Sequence, residues 1–134
     1  MPAKPFFDTN VLIYAVALND PRSTRAEKLL ASGGVLSVQV LNEFVSVARR
    51  KMLMPWRDVQ KAIDAFRLLC PTPIPITIDV HESSLKMAQK YGCNIYDALV
   101  IAAALQAGCA ILYSEDLQDG QLIDQKLTIR NPFI

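Results

Sequence analysis

Four carboxylates stand inside or against apolar runs: Asp8 in FFDTNVLIY, Glu43 in VLNEFVSV, Asp97 in NIYDALVIAAAL and Asp116 in AILYSED. An ionised carboxylate is costly to bury unless it is paired or bound to metal. None of the four has a lysine or arginine beside it in the chain. One shared divalent cation would relieve all four. Hard cations such as Mg²⁺ and Mn²⁺ take oxygen ligands, often a few carboxylates completed by water and substrate phosphate. Such a site lowers the pKa of a bound water and stabilises the extra charge of a phosphodiester under attack. Water is then the nucleophile, and no Ser, Cys or His nucleophile is needed. The near absence of histidine, with His81 alone, fits that chemistry and argues against zinc hydrolases and metal-free histidine ribonucleases.

Each acid also has a plainer reading. Asp8 can cap a helix starting near Asn10. Asp97 follows Asn94 by three residues, as in a capping box, and acids favour a first helical turn. Asp116 can be a turn aspartate. Glu43 is harder to explain away, because it shares a helical stripe with Val40 and Val47, and Arg49, Arg50 and Lys51 lie too far along to reach it. The competing reading is therefore a catalytically silent α/β module, binding nucleic acid or protein, whose acids are helix caps and turn residues. A phosphotransfer domain with Asp8 as nucleophile would want a second aspartate two residues on and a lysine near a late strand. Position 10 is asparagine, and no lysine directly follows residues 110–113.

The elements that must position these acids alternate between short strands and longer helices. Strands are expected at 5–7, 35–38, 75–78, 110–113 and 127–129. Helices are expected at 10–18, 22–32, 39–53, from Pro55 to about Cys70, at 80–90 and at 96–107, with Gly33-Gly34, Gly92 and Gly108 as stops. The alternation predicts an α/β/α sandwich of three layers with a mostly parallel central sheet. Sites in such sheets form beyond the carboxyl ends of the strands. Asp8 ends the first strand and Asp116 follows the strand at 110–113, so the acids are expected to meet at one sheet edge.

The chain has 134 residues, 51% hydrophobic and 20% charged, with a net charge of +1. That suits a single domain spanning 1–134. No apolar run reaches the roughly 18 residues of a membrane span. MPAKPFF does not resemble a signal peptide, so a cytoplasmic location is expected. Cys70, Cys93 and Cys109 are scattered and form no CxxC pair, which excludes the usual zinc and redox motifs.

Asp8-Thr9-Asn10 after a short apolar strand, Glu43 in the next strand's helix, Tyr96-Asp97-Ala98 opening an Ala/Leu/Ile helix, and Ser114-Glu115-Asp116 after an apolar strand together resemble the PIN domain. The stand-alone length is similar to that of VapC-type toxins of toxin–antitoxin pairs. The resemblance implies an RNA-cleaving enzyme using Mg²⁺ or Mn²⁺, with the acidic positions on Asp8, Glu43, Asp97 and Asp116. It places a small hydroxyl on Ser114 and a polar residue supporting the first acid on Asn10. It further implies a homodimer and a cognate antitoxin. RNA would also need cations near the acids. Arg22, Arg25 and Lys28 recur every three residues, and Arg49, Arg50 and Lys51 follow Glu43. From these, Arg22, Arg25 and Arg49 are the candidate substrate contacts.

Overall fold

Phe6–Phe7 forms β1, two residues with no exposed surface, between the apolar neighbours that a parallel sheet requires. The computed structural model describes residues 4–134. Positions 1–3, part of the N-terminal segment considered above as a leader, lie outside the described residues. Ile111–Tyr113 is β2, Leu122–Ile123 is β3 and Leu127–Arg130 is β4. The sheet order is β1-β2-β4-β3, with β1/β2 and β2/β4 parallel and β3/β4 antiparallel. This is the expected α/β fold with a mostly parallel sheet. Six helices complete it among the described residues: α1 (Thr9–Val16), α2 (Ser23–Ala31), α3 (Val38–Arg50), α4 (Trp56–Leu69), α5 (Ile78–Tyr91) and α6 (Ile95–Gln106).

Two expected strands do not form. Residues 35–37 are extended, but they meet the sheet only through single bridges, Val35 to Phe6 and Ser37 to Ile74. Ser37 instead caps α3, accepting from the Val40 N–H at 3.2 Å. The segment at 75–78 fails because Pro71, Pro73 and Pro75 have no N–H to give a ladder. Only Ile74 bonds there, donating to the Leu36 carbonyl at 2.8 Å and accepting from Val38 at 2.9 Å. Thr77 then caps α5. The pair β3/β4 was not anticipated as a hairpin. Its turn carries positive φ at Asp124 (49°) and Gln125 (57°), and Tyr91 and Lys90 hold the Asp124 carboxylate from α5.

The main core joins Phe6, Phe7, Leu12, Phe44, Ile101, Leu112 and Ile129 with residues from every helix and strand layer around them. In α6, Ala98 through Ala104 are all buried, so this helix is apolar on every side and packs centrally. Gly34 passes so close to β1 that an added Cβ would lie 2.7 Å from the Pro5 carbonyl oxygen and inside the Phe7 ring's contact distance. No helix among the described residues is long and apolar enough to cross a membrane.

The chain leaves β1 in one direction through α1 and α2 to the extended segment at Val35. It returns on the other side of β1 through α6 into β2. β1 is thus the switch point of the sheet, where its carboxyl end opens a crevice between diverging connections.

Candidate active site

Asp8 follows β1 directly, and Ser114 follows β2. The parallel register pairs Phe7 with Tyr113, so these two residues come out side by side at the same sheet edge. The Asp8 N–H donates to the Tyr113 carbonyl (3.0 Å), and the Ser114 N–H to the Arg130 carbonyl (3.0 Å), fixing both. The Ser114 hydroxyl donates to Asp8 Oδ2 at 2.8 Å, and the Thr9 N–H donates to Asp8 Oδ1 at 2.7 Å. Asp8 caps α1, and Ser114 ties its carboxylate to the loop that carries Asp116. The cap reading and the cluster reading therefore coexist at this residue.

The four acids differ in burial. Asp8 is only 3% exposed, Glu43 and Asp97 are half-buried, and Asp116 is exposed. Burial pushes the Asp8 carboxyl up to about 6, against the lowering effect of its Ser114 and Thr9 bonds, and the charges of Asp116 and Glu43 add to the rise. Asp97 is also raised, first by burial and then by the charges of Asp116 and Glu43. Asp8 and Asp97 thus both feel the charges of Glu43 and Asp116.

Each is held by neutral partners. Glu43 accepts from the Thr9 hydroxyl (2.8 Å) and from Gln39, one helical turn earlier (2.8 Å). Asn94 caps α6 by accepting from the Asp97 N–H (2.9 Å) while its amide donates to Asp97 Oδ2 (3.0 Å). Asn10 was expected to support the first acid. It instead supports the last, donating to Asp116 Oδ2 (3.3 Å) and accepting from the Glu115 N–H (3.2 Å). Ser114 also accepts from the N–H groups of Asp116 and Leu117, curling the loop after β2.

A cleft of about 710 Å³ opens here, lined by Thr9, Asn10, Glu43, Asn94, Asp97 and Asp116. Its cationic wall is Arg50 and Lys51, at the end of α3. The three arginines considered above for substrate lie elsewhere. Arg22 is bound to Asp20, Tyr14 and Glu115; Arg25 donates to the Pro132 carbonyl; Arg49 donates to the Met54 carbonyl and stacks on Trp56. The helical period explains the difference for α3. Arg50 and Ser46 share the Glu43 face and Arg49 does not, so reading the cluster by its first member misses the face. Tyr96, 61% exposed, forms part of the cleft rim. Asp119 lies outside the cleft lining and accepts from the Asn131 N–H.

Thr9, Gln39, Tyr14 and Glu115 were not singled out from sequence. Gln39 could have been found as the i−4 partner of Glu43. The others act across 34 and 101 positions of chain, which no local pattern reveals.

Among the described residues, no three carboxylate, imidazole or thiolate groups are already drawn together tightly enough to enclose an ion. The donor set nevertheless fits a hard cation, since it is all oxygen. The ion pairs among the described residues engage Asp20, Glu115 and Asp124, and none of the four acids is paired with a lysine or arginine. Asp8, Asp97 and Asp116, with Glu43, are the groups that could hold Mg²⁺ or Mn²⁺.

Comparison with family models matches residues 6–118 to the PIN domain. Comparison with curated proteins gives no match. Among solved structures, a toxin–antitoxin complex from Klebsiella pneumoniae is similar, with TM-score 0.73 and 21% identity over 96% of this chain and 98% of that one. VapC20 of Mycobacterium tuberculosis, described as a toxin cleaving the sarcin–ricin loop, has TM-score 0.66 and 20% identity over 84% and 89%. VapBC2 from Rickettsia felis, bound to a DNA fragment from its promoter, has TM-score 0.67 and 18% identity over 95% and 97%.

Proposed function

The chain belongs to the PIN domain family, and from that premise we propose that it is a Mg²⁺- or Mn²⁺-dependent endoribonuclease, the toxin of a toxin–antitoxin pair. The observation that carries the reading is the gathering of Glu43, Asp97 and Asp116 on one cleft next to the buried Asp8, with no cationic side chain paired to any of them. When bound, Mg²⁺ or Mn²⁺ supplies the positive charge at the phosphate and activates the attacking water. The chain's residues do the rest. Ser114 and the Thr9 N–H orient Asp8, Thr9 and Gln39 orient Glu43, Asn94 orients Asp97, and Asn10 orients Asp116. Arg50 and Lys51, which line the same cleft, hold the RNA backbone.

The toxin role draws on the likeness to toxin–antitoxin structures. It brings with it a cognate antitoxin, a homodimer, action as one domain and a cytoplasmic site of action. The alternative, a silent module, draws on the caps that Asp8 and Asn94 do form. Purified protein separates the two. The enzyme cleaves RNA with Mg²⁺ or Mn²⁺, stops with EDTA, and loses activity in Asp8→Asn and Asp97→Asn. Cleavage persisting in both variants rules the enzyme reading out.

A further inference from the structure

Glu115 is a further carboxylate lining the same cleft, directly beside Asp116. It differs from the other four in being neutralised. Arg22 Nη1 donates to Glu115 Oε1 at 3.1 Å, and the Tyr14 hydroxyl donates to Glu115 Oε2. Arg22 is itself fixed. Asp20 takes its Nε and Nη2 at 2.9 Å each, and its guanidinium lies 3.8 Å from the centre of the Tyr14 ring. Phe133 packs edge-on against that ring at 4.9 Å. Groups from separate parts of the chain thus converge on one carboxylate that bears no burial problem of its own, since its side chain is 29% exposed.

We propose that Arg22, with Tyr14, is a positioning residue that withholds Glu115 from the ion site, so that Asp116 and not its neighbour is offered to the cation. This rests on the metal-dependent reading above. Adjacent residues in a loop present their side chains in different directions, and a Glu115 freed from Arg22 and Tyr14 would carry its charge unneutralised on the cleft lining. There it would add a negative charge where RNA phosphate must approach. The same charge would tighten cation binding. The inference therefore predicts opposite effects on metal and on RNA, which neither a direct Arg22–phosphate contact nor a purely structural role produces.

The test is a set of four proteins, wild type, Arg22→Ala, Arg22→Lys and Arg22→Ala/Glu115→Gln, with folding checked by circular dichroism and thermal melting. Mn²⁺ binding is followed by calorimetry and RNA cleavage by steady-state kinetics. Arg22→Ala should bind Mn²⁺ about fivefold more tightly, the scale of one extra charge nearby at the surface. Its kcat/KM for RNA should fall by a similar factor of about five, mainly through KM. Arg22→Lys should stay near wild type. In the double variant both quantities should return toward wild type. Unchanged Mn²⁺ affinity in Arg22→Ala overturns the proposal. So does a cleavage loss that Glu115→Gln fails to relieve, which would mean that Arg22 touches RNA itself. A wild-type protein that binds no Mn²⁺ and cuts no RNA instead removes the enzyme reading, and this inference with it. If Arg22→Ala does not fold, the comparison is made with Tyr14→Phe, which frees one Glu115 oxygen and should shift both quantities in the same directions by less; no shift overturns the proposal.

Discussion

Asp8 is the residue on which burial, charge and hydrogen bonding meet. Its folded pKa near 6 lies above the ordinary 3.8, so the folded state holds the proton more tightly than the unfolded chain. The associated stability is complete below the unfolded pKa and is lost as pH rises through about 6. In metal-free buffer the protein should be destabilised between pH 4 and pH 7 by on the order of 3 kcal/mol from this group, measurable by urea melts across pH. Asp8→Asn should flatten that profile and be at least as stable as wild type at pH 7.5 without metal. Mg²⁺ or Mn²⁺ should stabilise wild type and not the variant. Ser114→Ala should behave differently. It strips a bond from Asp8 and an acceptor from two loop N–H groups, and should cost about 1–3 kcal/mol in a thermal melt while lowering cleavage. All four acids were legible in sequence because each breaks or abuts an apolar pattern, and Ser114 and Asn10 were legible only through the resemblance to the PIN domain. Which acid Asn10 would serve was not legible, since a side-chain amide can bond in either direction and only the loop geometry decides.

At the scale of elements, the helices were readable to within a few residues because period, caps and glycine stops agree. Gly92, at φ 67°, ends α5 where a left-handed residue is wanted. The strands were less readable. β3 has two residues, too short for alternation to register, and the proline-rich stretch before α5 offers bridges in place of a ladder. Gly34 shows why such a segment is still constrained. Gly34→Ala would push a methyl into the Pro5 carbonyl and the Phe7 ring, neither of which can yield without moving β1. It should cost about 1–3 kcal/mol in chemical denaturation. Because Asp8 follows β1 directly, it should lower cleavage beyond what the loss of folded protein accounts for.

For the whole molecule, a net charge of +1 conceals a local clustering, with Glu43, Asp97, Glu115 and Asp116 lining the same cleft as Arg50 and Lys51. RNA affinity should therefore depend on salt through these two residues. Arg50→Ala/Lys51→Ala should weaken RNA binding and reduce the slope of log affinity against log salt by roughly 0.7 for each phosphate no longer neutralised, as read by fluorescence anisotropy. Folding and Mn²⁺ binding should be preserved. Arg49→Ala, by contrast, should leave the salt slope unchanged, because its guanidinium lies against Trp56 and the Met54 carbonyl, outside the cleft.

The register of β1 against β2 has a consequence for biosynthesis. Asp8 leaves the ribosome early, but the Tyr113 carbonyl and Ser114 hydroxyl that orient it come more than a hundred residues later, and Ser114 is in turn anchored by Arg130. A nascent chain still tethered to the translating machinery therefore has its first acid and not its last. Asp8 is oriented only once the chain as far as Arg130 is free to fold.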